Sequence, residues 1–201
     1  MLIVISAEKF IENEESHLKS ILADGLETLH IRKPEVSFEE LKHWLQQFEP
    51  EYRSKMVLHQ HHELAREFSL KGIHLKENFR INLNEDLEEY VKSFQQERFT
   101  VSTSYHQKES LLASSIFDYC FLSPVFSSIS KADYTGKLFR VFQVMDIQQK
   151  VIALGGINSE KIPLIRKMGF SGGAVLGAVW KQDNPVDSFN KIQQQYESVF
   201  R

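Results

Sequence analysis

Short apolar runs alternate with longer amphipathic stretches from one end of the chain to the other. The runs lie at 2–5 (LIVI), 27–31 (ETLHI), 55–58 (KMVL), 72–75 (GIHL), 99–103 (FTVST), 117–122 (FDYCFL), 150–154 (KVIAL) and 172–176 (GGAVL). Each is rich in β-branched or aromatic residues and short enough to read as a strand. Helical patterns fall between and after them, near 13–24, 37–48, 61–70, 84–96, 107–115, 140–148, 158–168 and 185–199. Regular β–α alternation implies a parallel sheet with helices outside it. Eight repeats imply closure, because an open doubly wound sheet usually has fewer strands. The pattern therefore predicts an α/β fold, a single (β/α)8 TIM barrel over residues 1–201. No linker, low-complexity tract or internal repeat divides the chain. The longest irregular segment, SPVFSSISKADYTGK (123–137), follows the sixth strand, and long loops in compact domains often serve as lids.

Composition narrows the partners. The 201 residues suit one domain at the short end of the barrel range, and the 42% hydrophobic fraction supplies a substantial core. Lys and Arg number 24 against 27 Asp and Glu, a net charge of -3. That balance argues against a nucleic-acid surface or an anionic-membrane anchor. Leu2–Ile5 is too short for a signal-peptide core, and no run approaches the roughly 20 apolar residues of a membrane span. A cytoplasmic protein is expected, with a small molecule as partner and a second copy of the chain left open. The lone Cys120 sits within an aromatic strand, where a packing role outweighs a nucleophilic one.

In such barrels the chemistry gathers at the C-terminal ends of the strands. Those ends carry Ser6, His30 with Arg32, His59, His74, Ser104 with His106, Ser123, Gly155 with Gly156, and Gly177 after Leu176. The last two turns, in VIALGGIN (151–158) and GGAVLGAV (172–179), bring glycine to the exits of strands 7 and 8. Backbone N–H groups there can close on a phosphate, and barrels of this kind place phosphate after strands 7 and 8. His30, His59 and His74 are read as lining the pocket. HQHH (59–62), with His30 and His74, also admits a zinc-site reading. No strand-end carboxylate accompanies these residues, and a helix starting near His61 would turn that side chain away. Neither a metal nor another cofactor is therefore expected.

Four segments carry a family resemblance: LHIRK (29–33), KGIHL (71–75), the SPVFSSISKADYTG loop (123–136), and the VIALGGIN–GGAVLGAV pair. Over roughly residues 1–180 the chain resembles the thiamine-phosphate synthase and TenI superfamily, which implies a place in thiamine biosynthesis. Synthases of that superfamily join a pyrimidine pyrophosphate to a thiazole phosphate. They bind magnesium and pyrophosphate through Asn-Asp-Asp after strand 3, an Asp after strand 4 and Arg-x-Lys after strand 2. Here the strand 3 exit reads His59-Gln60-His61, the strand 4 position falls near Asn78–Phe79, and Pro34 stands where the lysine belongs. A hard cation needs oxygen ligands, so these departures argue against the synthase reaction.

What remains is closer to the TenI-type thiazole tautomerases, which aromatise a thiazole carboxylate phosphate by moving a proton. The resemblance assigns the catalytic histidine to His106 in STSYH (102–106), with Ser104 beside it. It gives Arg32 and Lys131 the charged contacts to substrate, and Ser128 and Ser130 the hydroxyls of the loop. Backbone around Gly155, Gly156, Leu176 and Gly177 receives the phosphate. Thiamine-phosphate synthase, and a phosphate-binding regulatory barrel without catalysis, remain alternatives at this point.

Overall fold

The computed structural model describes residues 1–107, 110–111, 115–126 and 149–201. Within them eight parallel strands pair in chain order, and the last closes onto the first. They are β1 (Leu2–Ile5), β2 (Leu29–Ile31), β3 (Met56–Leu58), β4 (Gly72–Leu75), β5 (Thr100–Tyr105), β6 (Tyr119–Leu122), β7 (Lys150–Leu154) and β8 (Gly172–Val175). All eight expected runs are strands, and the fold is the expected (β/α)8 barrel. Helical patterns at 107–115 (in part) and 140–148, and the loop beyond Phe126 with Ser128, Ser130 and Lys131, lie outside the described residues.

The helices are α1 (Glu14–Ala23), α2 (Phe38–Leu45), α3 (Pro50–Arg53), α4 (Glu63–Glu67), α5 (Glu77–Leu83), α6 (Leu87–Gln95), α7 (Ile162–Lys167), α8 (Gly177–Trp180) and α9 (Pro185–Phe200). α1 shows why the longer ones form. Leu18, Ile21 and Leu22 recur at helical spacing and are all buried, an apolar stripe against the outside of the barrel. Each such side chain contributes about 1.5–3 kcal/mol on full burial. α2 begins on a capping box, with Ser37 and Glu40 each bonding the other's backbone N–H. Three helices fall outside the sequence reading: α3, α5 and α8. α3 and α5 bury no residue, so hydrophobic periodicity is silent there. α8 is a single turn that continues the glycine-rich run of β8.

Period-two alternation sorts each strand between two cores. Outward residues such as Leu29, Ile31, Met56, Leu58, Ile73, Leu75 and Cys120 pack under the helices in one large cluster. Inward residues fill the barrel. On the side of β8, β1, β6 and β7 the filling is apolar: Ile3, Ile5, Tyr119, Phe121, Ile152 and Ala174. On the side of β2 to β5 it is polar, with His30, His74 and Ser102 buried. Burial raises the Cys120 thiol to about 12, so the residue packs as a small hydrophobe and not as a nucleophile.

A second buried polar contact fastens the chain segment after β1 to that after β2. Lys33 is fully buried and pairs with Glu14 at the start of α1. Lys33 Nζ also donates to the Lys9 carbonyl at 3.0 Å and lies 4.7 Å from the Phe10 ring centre and 5.4 Å from that of Trp44. Glu14 accepts from the Ala7 N–H at 3.0 Å. Burial opposes both charges, raising the carboxyl and lowering the ammonium, and each partner answers with a hydrogen bond to the other.

Strand closeness is set at β4 by a missing side chain. A Cβ on Gly72 would lie 2.0 Å from the Thr100 carbonyl oxygen, inside the β4–β5 ladder. A Cβ on Gly177 would meet only Lys181 side-chain carbons, none nearer than 3.5 Å. Gly72→Ala is therefore expected to destabilise the barrel by about 3 kcal/mol, lowering the melting temperature by roughly 6–12 °C. Gly177→Ala should stay within about 0.5 kcal/mol of the parent. Thermal unfolding of the two variants side by side checks both values; equal melting points would contradict the ladder argument.

Candidate active site

The polar half of the barrel interior is a connected imidazole–hydroxyl network. His30, between outward Leu29 and Ile31, points inward from β2. Its Nδ1 lies 2.9 Å from His59 Nε2, and its Nε2 lies 2.6 Å from the Tyr119 hydroxyl of β6. His74 of β4 places Nδ1 at 2.9 Å from Ser102 Oγ and Nε2 at 2.8 Å from Ser104 Oγ, both on β5. The β4–β5 register aligns His74 with Ser102 and so brings these groups together. The His59 and His74 rings stack with centroids 4.2 Å apart, and Phe121 lies 4.9 Å from both His30 and His74.

Sequence reasoning puts these three histidines at the strand ends. In the structure His30 and His74 are buried inside the barrel, and His59, immediately after β3, keeps only a small exposed face. Burial drives all three imidazoles toward the neutral form, His74 to about 3. The neighbouring cations Arg32 and Lys76 act in the same direction on His59 and His74. As expected, His61 turns away: its Nε2 meets the Val36 carbonyl at 3.1 Å, and its ring faces Phe38.

His106 stands apart, directly after β5 and largely exposed. Its Nδ1 lies 2.9 Å from the Ser123 carbonyl oxygen, so Nδ1 carries the proton and donates it there. Nε2 lies 3.7 Å from Glu77 Oε2 in the first turn of α5. Glu77 is a carboxylate near the β4 exit that sequence reasoning missed, because it sits immediately upstream of the position compared, Asn78–Phe79, and in an unexpected helix. It is also 3.5 Å from Arg80. Tyr119 and Ser102 were missed as well; their alternation with Cys120 and with Val101 and Thr103 was the available signal.

Arg32 follows β2 and pairs with Glu8, while its backbone N–H donates to Ser6 Oγ at 2.9 Å. A ligand anion at Arg32 must compete with that carboxylate. Lys76, just after β4, is lowered first by burial and then by Arg32, so two cations share this part of the rim. Across the barrel, Gly155 and Gly156 both adopt positive φ, 95° and 66°. A Cβ on Gly155 would lie 2.9 Å from Pro124, so glycine is required there. Leu176 and Gly177 open α8, and the Trp180 indole seals it to the β1 end by donating to the Ile5 carbonyl at 2.7 Å. Ser128, Ser130 and Lys131 lie outside the described residues. A separate cleft of about 630 Å³ opens beside α1, lined by Phe10, Ile11 and Trp44. No residue named from the strand ends lines it, so chemistry and not cleft size places the candidate site.

A family model described as thiamine monophosphate synthase matches residues 1–179. The chain belongs to that family. A thiamine-phosphate synthase of Bacteroides fragilis (strain YCH46) is 27% identical over 186 residues, covering 85% of this chain and 87% of its own. Another, of Syntrophomonas wolfei, is 35% identical over 83 residues, 40% of each chain. A solved thiamine phosphate pyrophosphorylase from Bacteroides thetaiotaomicron superposes with a TM-score of 0.77 at 26% identity, covering 98% and 97% of the two chains. One from Pyrococcus furiosus, at 19% identity, TM-score 0.79 and 100% and 96% coverage, shares the fold.

The donor set after β3 and at β4 is rich in imidazole. Among the described residues, the group able to hold a metal is His30, His59 and His74, with ligand atoms all within 4.8 Å of one another and no carboxylate among them. Magnesium takes oxygen ligands in an octahedral shell. Three imidazoles do not fit it, and Glu77 is committed to Arg80 and His106.

Neutral buried histidines link stability to pH. An unfolded chain protonates them below about 6.5, whereas the folded barrel does not. Their folded pKa values are lowered, so their stabilising effect is complete above about 6.5 and is lost as pH falls below it. Each histidine is expected to remove about 1.4 kcal/mol per pH unit in that range. The decline stops at the folded values, about 3 for His74 and about 4 for His62, which is buried beside Tyr90. Urea unfolding from about pH 8 to about pH 5 should show a plateau and then a steep fall; stability that is flat across this range would contradict the neutral network.

Proposed function

We propose that the chain is a proton-transfer enzyme of thiamine biosynthesis, a thiazole tautomerase acting on a thiazole carboxylate phosphate. The observation that carries this reading is the state of His106. Donation from Nδ1 to the Ser123 carbonyl leaves the Nε2 lone pair free. Nε2, the nitrogen that takes the substrate proton, faces the Glu77 carboxylate at 3.7 Å. The proton then returns to another position, so the product is an isomer and the histidine is restored. The substrate phosphate is held by backbone N–H groups around Gly155, Gly156 and the Leu176–Gly177 turn, and its carboxylate by Arg32. Ser104 lines the path between rim and interior. On this reading Ser128, Ser130 and Lys131 complete the contacts from the sixth loop.

Thiamine-phosphate synthase is the second reading. It is favoured by the family match and by the names of the curated relatives. The missing oxygen ligands for magnesium weigh against it.

Two assays separate the readings. With thiazole carboxylate phosphate, tautomerisation should exceed the uncatalysed rate, and His106→Asn should lower it about 10²-fold or more with binding largely intact. Arg32→Ala should chiefly weaken binding. With pyrimidine pyrophosphate, thiazole phosphate and magnesium, little thiamine phosphate should form. Robust magnesium-dependent synthesis with no tautomerisation would replace the first reading by the second.

A further inference from the structure

We propose that His30, His59 and His74 form a binding site for zinc(II), three imidazole nitrogens on one ion with the fourth position open toward the barrel mouth. The inference is independent of the proton-transfer reading. Zinc holds imidazole nitrogens at about 2.0–2.1 Å, which in tetrahedral geometry places them about 3.3 Å apart. His30 Nδ1 and His59 Nε2 are already 2.9 Å apart, and the three ligand atoms lie within 4.8 Å of one another. Movements of around an ångström therefore assemble the site. His30 lies on β2, His59 immediately after β3 and His74 on β4, and the His59 N–H continues the β2–β3 pairing by donating to the Ile31 carbonyl at 3.1 Å.

The outer partners are also present. A metal-bound histidine usually anchors its other ring nitrogen to a hydrogen-bonding group, which fixes its orientation. Tyr119 holds His30 Nε2 while Nδ1 faces the cluster. Ser102 and Ser104 hold opposite nitrogens of His74, so whichever one binds the ion, the other stays anchored. In the metal-free network His30 Nδ1 and His59 Nε2 share one proton across their hydrogen bond. Binding moves that proton to the other nitrogen of the ring that carried it, and the ion replaces the hydrogen bond with no net proton loss from the imidazoles. Imidazole nitrogen suits the borderline-soft zinc ion and not the hard magnesium ion. Arg32 and Lys76 face the same region. They disfavour an uncompensated dication, so the fourth ligand is an anion, hydroxide in the simplest case.

Tag-free protein titrated with zinc(II), and with cobalt(II) as a spectroscopic substitute, tests the site. We expect one ion per chain, a strong visible absorption of tetrahedral cobalt displaced by zinc, and a raised melting temperature. His59→Leu and His74→Leu should each weaken binding at least 100-fold. Tyr119→Phe preserves the packing and should weaken it about tenfold through the lost outer hydrogen bond. His43→Gln, on the exposed face of α2, should leave binding unchanged. Absence of stoichiometric binding to the parent protein would overturn the proposal even if the histidine variants failed to fold. So would a cobalt spectrum that survives in folded His59→Leu and His74→Leu.

Discussion

A closed eight-stranded barrel forces every second strand residue into one narrow interior, and that constraint shapes the rest of this molecule. There is no solvent in which a polar side chain can hide, so each inward polar group must find its partner on a neighbouring or facing strand. His30 finds His59 and Tyr119, and His74 finds two serines. Phe121 supplies the apolar floor on which two of the rings rest. Because the partners come from β2, the residue after β3, β4, β5 and β6, the network ties this side of the barrel together through side chains as well as through its ladders. The apolar half, led by Ile3, Ile5 and Ile152, imposes no such requirement.

The rim follows a different logic. Where the family resemblance places a lysine, Pro34 is found, and the adjacent Lys33 is turned into the wall against Glu14, Phe10 and Trp44. A cation that would otherwise address a ligand has become a fastener between the segments after β1 and β2. Arg32 and Lys76 lie near the interior, and His106 stands 3.7 Å from Glu77 at the same rim. A mouth that carries Arg32 and Lys76 over a neutral, nitrogen-rich interior is the resulting arrangement.

The barrel was legible because strand and helix periods differ, and all eight apolar runs carry the shorter one. α3 and α5 were not, since a helix that buries nothing leaves no stripe to read. For the site, a strand's alternation reveals which face a side chain takes but not its depth. His30 and His74 were therefore identified but placed at the rim instead of inside. Their partners depend on register between strands far apart in sequence, as with His30 and Tyr119, and no local pattern encodes that. Glu77 became recognisable only once α5 carried it back toward the end of β5.

Cys120 gives the barrel wall a chemical reporter. The only thiol in the chain lies on β6, fully buried in the cluster outside the barrel, with its ionisation pushed up to about 12. A thiol-directed reagent needs both access and thiolate, and the closed wall withholds each. The rate at which such a reagent consumes the thiol therefore counts the moments when the cluster around Cys120 opens. This chain carries its own clock for those openings, placed one residue from the tyrosine that anchors His30.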